Sequence, residues 1–231
     1  MLQLFGLSLS GALLLLDSTA AFQMLIAQPL FACPILGWLG GNAQLGFELG
    51  FWLQLIWLSN MPVGAAIIPE GEIGSVAAVI LAIRLSDDFP QLTHFIIFMV
   101  IAYAVLVSFI GAKTVTFIRN RNQQYLQHIL NKLNQGKAVT FGPIIFNALA
   151  FSALVFFALM VSLTLVFEYG LKPFLAQMPL DLANRIGLYG KISVLGVGMG
   201  MTITLMKDRR YWALYVLGMI IGGMLIIHGA K

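Results

Sequence analysis

The stretch Leu53-Gln-Leu-Ile-Trp-Leu-Ser-Asn-Met-Pro-Val-Gly-Ala-Ala-Ile-Ile-Pro-Glu70 decides how this chain is read. It is apolar enough for a bilayer, yet it carries Gln54, Asn60 and Glu70, with Glu72 just beyond, and it is broken by Pro62, Gly64 and Pro69. In hydrocarbon every backbone N–H and C=O must be satisfied internally. A broken helix is therefore tolerated only where protein covers it or a water-filled cavity adjoins it. Polar side chains at such a break are the sequence mark of a transport site.

The rest of the chain fits a membrane setting. Of 231 residues, 60% are hydrophobic and only 10% charged, against about 25% charged in a soluble domain. The expected fold is an all-α, polytopic integral membrane protein of about seven or eight segments, at least one of them broken or re-entrant. Residues 1–231 form one membrane domain, with no room for a second, soluble one. The apolar run 1–16 ends at Asp17 and has no basic residue ahead of it, so it reads as a retained first span and not as a secretory signal. Residues 22–41 are apolar but interrupted by Gln28-Pro29 and Cys33-Pro34, and residues 45–68 by the break described above. Residues 73–85 fall short of the about 20 needed to cross. They are predicted to be half of a re-entrant hairpin whose other half ends near Pro69. Residues 92–112, 143–167, 186–206 and 211–227 complete the set of spans.

Charge sets orientation. Residues 113–137 hold Lys113, Arg119, Arg121, Lys132 and Lys137 with no acidic residue, and Lys207-Asp208-Arg209-Arg210 is a short basic turn. Both are predicted to face the cytoplasm, and the loop around residues 173–179 the outside. The basic segment, with Phe117, Tyr125, Ile129 and Leu133, reads as an amphipathic helix lying at the headgroup level. A docking face for a cytoplasmic partner is the second reading. The net charge of +4 comes from such short segments, so it is a topology signal and does not point to nucleic acid. The single Cys33 excludes a disulfide framework and reads as a buried apolar residue. His94, His128 and His228 are too scattered for a zinc-type site, and no phosphate-binding glycine loop is present. No metal or cofactor is expected.

Several residues are candidates for chemistry. Glu70 and Glu72, two apart after a proline, do not share a helix face. They belong either to an interfacial loop or to the buried tip of a hairpin, where Glu70 would accept hydrogen bonds from ligand hydroxyls. Gln54 and Trp57 are three apart and share a helix face. With Asn60 they suit a neutral polyol, amides donating and accepting and the indole offering a flat apolar surface. The plainer reading makes Trp52 and Trp57 interfacial anchors and Gln54 a bond to a neighbouring helix. Asp17, beside Ser18 and Thr19, is read first as a cap for the next helix and second as a substrate ligand. Glu48 is read either as lying near the headgroups, reached by snorkelling, or as pairing with a basic residue such as Arg84. Gly196, Gly198, Gly200, Gly218 and Gly222 are read as small faces for close helix packing.

The segment from Gln54 to Glu70 resembles the signature of the IIC subunit of mannose/fructose/sorbose-family sugar phosphotransferase systems. Asp17, Gln28-Pro29-Leu30 and the glycine-rich turn from Gly37 to Asn42 also resemble that subunit, and the likeness is best over residues 12–85. The resemblance implies an elevator-type permease that works with a second membrane subunit, IID. It also implies that a sugar is carried inward and phosphorylated by cytoplasmic IIB, itself charged by IIA. No phospho-acceptor is implied in this chain, and family members assemble as oligomers. The family's acidic residue after Gly-Ala-Ala-x-x-Pro falls on Glu70, while its usual Glu before Leu-Ile-Trp falls on Gln54, a departure that removes a charge. The expected substrate site is Gln54, Trp57, Asn60 and Glu70, with Asp17 and Gln28 behind them, taking a hexose or amino sugar in a bacterial inner membrane. A degenerate subunit that only assembles or regulates is the second reading, and an unrelated small-solute transporter the third.

Overall fold

The computed structural model describes residues 1–21, 23–58, 70–205 and 216. Among them it forms helices and no strands: α1 (Leu2–Thr19), α2 (Pro29–Leu39), α3 (Ala43–Ile56), α4 (Gly71–Asp88), a 3-10 turn at Pro90–Leu92, α5 (Thr93–Asn134), α6 (Phe141–Ala176) and α7 (Leu180–Leu205). The all-α membrane architecture is as expected, and α5, α6 and α7 are each long and apolar enough to cross a bilayer. Asn60, the break from Pro62 to Pro69, the turn at residues 207–210, the span at 211–227 and the Gly218/Gly222 spacing lie outside the described residues.

The helix α4 is the axis of the molecule. No charged residue occurs between Glu72 and Arg84, and a helix apolar on all sides is stable only when surrounded. Residues 73–83 are all buried, with α1, α2, α3, α5 and α6 packed around them. Residues 73–85 are the body of an 18-residue helix, about 27 Å long at 1.5 Å per residue and still short of the roughly 30 Å of hydrocarbon; the expected other half of the hairpin, ending near Pro69, lies outside the described residues.

The short pair in the described chain is α2 and α3. They have 11 and 14 residues, or about 16 and 21 Å, each less than the roughly 30 Å of hydrocarbon. Pro29 begins α2, where a missing N–H costs nothing, so Gln28-Pro29 marks a helix start. The chain reverses at Gly41, whose φ of +86° is a left-handed value that glycine adopts freely. Asn42 then caps α3 by accepting the Leu45 N–H at 3.0 Å. The two helices run antiparallel and nearly touch. A Cβ on Gly37 would stand 2.7 Å from Gly46 Cα, and one on Gly46 would collide with the Cys33 carbonyl oxygen. Gly46 and Gly50 thus form the small-xxx-small contact of this hairpin. Of the glycines expected to pack, Gly198 rests on Leu55, while Gly196 and Gly200 face open space.

Two further expectations change. The basic segment is not a separate helix on the membrane surface. It continues the span as one 42-residue helix, α5, about 63 Å long. The helix α6 runs through Glu168 and Pro173, so the loop expected around residues 173–179 shrinks to residues 177–179.

Charges cluster where α4 ends. Arg84 forks onto Glu168 of α6, Nε to Oε2 at 2.5 Å and Nη2 to Oε1 at 2.7 Å. Lys172 bridges Glu168 and Asp88, both at 2.7 Å. Glu48 pairs with Lys191 of α7 at 2.5 Å, and that ammonium also lies 2.9 Å from His94 Nδ1. Glu48 thus pairs with a basic residue, as expected, but with Lys191 and not Arg84, whose partner α6 supplies.

Candidate functional site

At the opposite end of α4 the chain encloses a polar cavity of about 290 Å³. Its walls are Asp17 and Ser18 at the end of α1, Gln23, Leu25, Ala27 and Gln28 of the α1–α2 connection, Glu70 and Glu72 at the start of α4, and Arg119 of α5.

Asp17 holds the connection in place. Its buried carboxylate accepts the N–H groups of Met24 at 2.8 Å, Ile26 at 2.7 Å and Ala27 at 3.4 Å. It therefore ties down the chain just ahead of α2, whose N-cap position is Gln28. The connection needs such restraint. Gln23 and Leu25 have φ of +52° and +65°, a left-handed conformation that costs a side-chain-bearing residue about 1–3 kcal/mol. Hydrogen bonds to an ionised acceptor are the stronger kind and offset that strain.

Gln28 is the junction of the site. Its amide donates to Glu72 Oε1 at 3.0 Å and accepts from Gln54 Nε2 at 3.4 Å. Gln54 Oε1 in turn accepts the Leu30 N–H at 3.3 Å. Gln54 does not line the cavity but stands one hydrogen bond behind it. Glu70 is anchored through its backbone, its N–H donating to the Ser108 carbonyl of α5 at 3.0 Å. Its half-buried carboxylate caps no N–H of α4 and makes no side-chain hydrogen bond among the described residues. Trp57 packs on the start of α4, where a Cβ on Gly71 would stand 2.6 Å from its ring.

The structure thus brings Asp17, Gln28 and Glu70 to one cavity, puts Gln54 behind it and lays Trp57 against the helix that carries Glu70. Asn60 lies outside the described residues. Arg119, Ser18 and Gln23 are wall residues not anticipated as ligands, and Glu72 ranks with Glu70. A signal for Arg119 did exist. It follows Ala112 and Val115 at helical spacing, and both of these are buried, so Arg119 is a cation on an apolar face.

Carboxylates that accept, amides that do both and a hydroxyl form a lining suited to a small hydroxyl-rich solute. The volume falls at the small end of the roughly 300–1,000 Å³ typical of ligand sites. Among the described residues no group of His, Cys, Asp or Glu is disposed to hold a metal ion.

Helices that cross the membrane, a hairpin too short to do so and a polar cavity at the end of a buried helix define a permease component of the membrane. A family model described as the sorbose-specific IIC component of a phosphotransferase system matches residues 1–228. The chain belongs to that family and is a membrane, sugar-translocating IIC component. It is 29% identical over 202 residues to the sorbose-specific EIIC component of Lacticaseibacillus casei, covering 86% of this chain and 69% of that protein. It is 27% identical over 194 residues to the fructose permease IIC component of Bacillus subtilis (strain 168), covering 84% and 69%. To the mannose-specific EIIC component of Escherichia coli (strain K12) it is 26% identical over 195 residues, covering 84% and 70%. Two solved structures share the fold. One is described as a membrane protein, with a TM-score of 0.68 and 23% identity, covering 100% of this chain and 91% of that one. The other is a complex of the mannose transporter ManYZ with microcin E492, with a TM-score of 0.52 and 21% identity, covering 96% and 85%.

Proposed function

We propose that the cavity walled by Asp17, Gln28, Glu70 and Glu72 is the sugar site, and that it takes a hexose or an amino sugar. The observation that carries this reading is the convergence itself. Residues from the end of α1, the start of α2 and the start of α4 meet around a volume of sugar size. Glu70 faces it with a carboxylate free to accept substrate hydroxyls. Glu72, Gln28 and Gln54 form a relay of hydrogen bonds that holds the wall in shape. Trp57 and Asn60 belong to the same segment of chain and are proposed to complete the site.

The basic residues of the α5 extension mark the cavity end of the molecule as cytoplasmic. On this reading the sugar is released toward the side where a phosphoryl carrier meets it. The partners are a IID membrane subunit and a IIB protein charged by IIA, in a bacterial inner membrane, and the structural likeness to a ManYZ complex supports a paired membrane subunit. Gln54 does not mark a decayed site. Its amide is engaged through both oxygen and nitrogen, and a carboxylate there would accept from Leu30 but have nothing to donate to Gln28.

Phosphoenolpyruvate-dependent uptake of labelled hexoses and amino sugars tests the reading, with the partner proteins present and IIB added or withheld. Glu70→Gln removes a charge-assisted bond worth about 1.5–3 kcal/mol, so uptake is expected to fall at least about tenfold at equal membrane level. Unchanged uptake would take Glu70 out of the site.

A further inference from the structure

Between Asp88 and Glu168 the chain has no acidic residue, yet Lys113, Arg119, Arg121, Lys132 and Lys137 all fall there. Arg119 lines the cavity described above, and Arg121, two residues on, does not. Arg121 is exposed and makes no ion pair among the described residues. We propose that Arg121 and its neighbours bind one anionic phospholipid of the cytoplasmic leaflet. The lipid's phosphodiester rests on the guanidinium and an acyl chain on the adjoining aromatic rings. The sidedness follows from the excess of cations, and the site does not depend on what the other cavity takes.

A second cavity is the first observation. Phe117, Asn120, Arg121 and Gln124 of α5, with Phe151 of α6, line a groove of about 350 Å³. The α5 residues recur at i, i+3, i+4 and i+7, so they share one face of the helix. Rings, amides and a guanidinium meet there, and no carboxylate repels an anion. The guanidinium is held in place, 5.6 Å from the centroid of the Tyr125 ring and 5.8 Å from that of Phe151. Such cation–π contacts fix the charge without neutralising it.

Depth is the second. Phe95 faces Phe174 with ring centroids 6.1 Å apart, and Phe117 faces Phe151 at 6.0 Å. These two contacts are rungs between α5 and α6, about 33–35 Å apart along either helix. The upper rung lies beside the Lys172–Asp88 pair, where the outer headgroups begin. The lower rung is then at the inner edge of the roughly 30 Å of hydrocarbon. Arg121 stands one turn beyond it, about 6 Å further along α5, at the level of lipid phosphates. The cytoplasmic leaflet is negatively charged, and basic pockets between membrane helices on that side recognise its headgroups.

The third observation is an apolar path out of the groove. Leu106 and Ile110 of α5 lie within about 20° of the face of Phe117, and Leu154 of α6 lies beyond Phe151. All three are exposed and lead from the groove into the bilayer. A free phosphate would satisfy Arg121 and leave the rings bare, whereas a phospholipid meets both. The planar guanidinium forks onto two phosphate oxygens, while Asn120 and Gln124 can donate to the same group or accept from headgroup hydroxyls.

The test uses the complex assembled with its partner subunits, stripped of lipid in detergent. It is titrated with phosphatidylglycerol or phosphatidylcholine, and bound lipids are counted by native mass spectrometry. One phosphatidylglycerol per copy of this chain is expected to bind about tenfold more tightly than phosphatidylcholine, the strength of hydrogen bonds to a charged group. Arg121→Gln should reduce that preference to about twofold or less, with sugar affinity unchanged. Asn120→Leu/Gln124→Leu keeps the charge and its ring contacts and should lower the preference about threefold, so it decides the matter should the arginine variant fail to assemble. Millimolar inorganic phosphate should displace nothing. The proposal is overturned if the wild-type complex shows no preference, since a protein subunit then covers the groove. It is equally overturned if the preference survives both variants, which assigns it to the basic surface at large. Displacement by inorganic phosphate also overturns it, making the groove a site for soluble anions.

Discussion

The two ends of α4 treat charge in opposite ways. At the Arg84 end every buried charge is matched: Arg84 and Glu168, at 14% and 8% side-chain exposure, form a fork, and Lys172 closes the set with Asp88. At the Glu70 end three carboxylates and one guanidinium surround open space, and the bonds they make run mostly to backbone and amides. A matched network ties helices together, here α4 to α6. An unmatched one leaves capacity for a solute. One helix therefore carries a fastening at one end and the proposed sugar site at the other.

The largest effect expected from breaking this comparison is on stability. Arg84→Met leaves the buried Glu168 with Lys172 as its one ion-pair partner, so the loss should fall at or below the low end of the about 3–5 kcal/mol that removing one partner of a buried pair costs. Thermal unfolding of the purified protein in detergent should fall accordingly, and Arg84→Met/Glu168→Leu should recover most of the loss. Equal stability of the single variant would mean that the fork is not a fastening. Gly46→Ala sharpens the comparison from the middle of the hairpin. Its Cβ would meet the Cys33 carbonyl, and the overpacking should cost about 1–3 kcal/mol in the same assay. Gln28→Ala probes the end with the proposed site. It removes the donor to Glu72 and the acceptor for Gln54, a modest loss of stability, yet sugar affinity measured by calorimetry should drop about tenfold, the equivalent of about 1.4 kcal/mol. Stability lost with affinity intact would make Gln28 scaffold only. The smallest effect belongs to Lys191→Ala. Its pair with Glu48 is partly exposed, at 20% and 29%, and should be worth about 0–1 kcal/mol.

Much of this was legible in the chain. Apolar length placed the spans of α5, α6 and α7; the chemistry of Asp17 and Glu70, and the family resemblance for Gln28, nominated residues that the fold gathers. The misses have physical causes. Pro29 and Pro34 were weighed as breaks, but a proline at a first turn starts a helix, and α2 continues through Pro34. Gly46 and Gly50 of the α2–α3 contact stand four apart in the sequence, a small-xxx-small spacing on either side of Glu48. Between Gly111 and Gly136 there is neither glycine nor proline, so nothing in the chain stops α5 at the membrane boundary. The loss of apolarity at Lys113 ends the apolar run but not the helix. The partners of Arg84 and Glu48 lie 84 and 143 residues away in sequence, on α6 and α7, and no local pattern encodes such a pairing.

The unbroken length of α5 has a mechanical consequence. A rod of about 63 Å converts rotation into displacement: a tilt of only about 5° about one end moves the other by about 5 Å. Ser108 of this rod grips the Glu70 backbone at 3.0 Å, so any rearrangement of the carboxylate end is magnified at Asn134. A spin label or fluorophore placed there would act as the needle of a gauge whose sensor is the cavity wall.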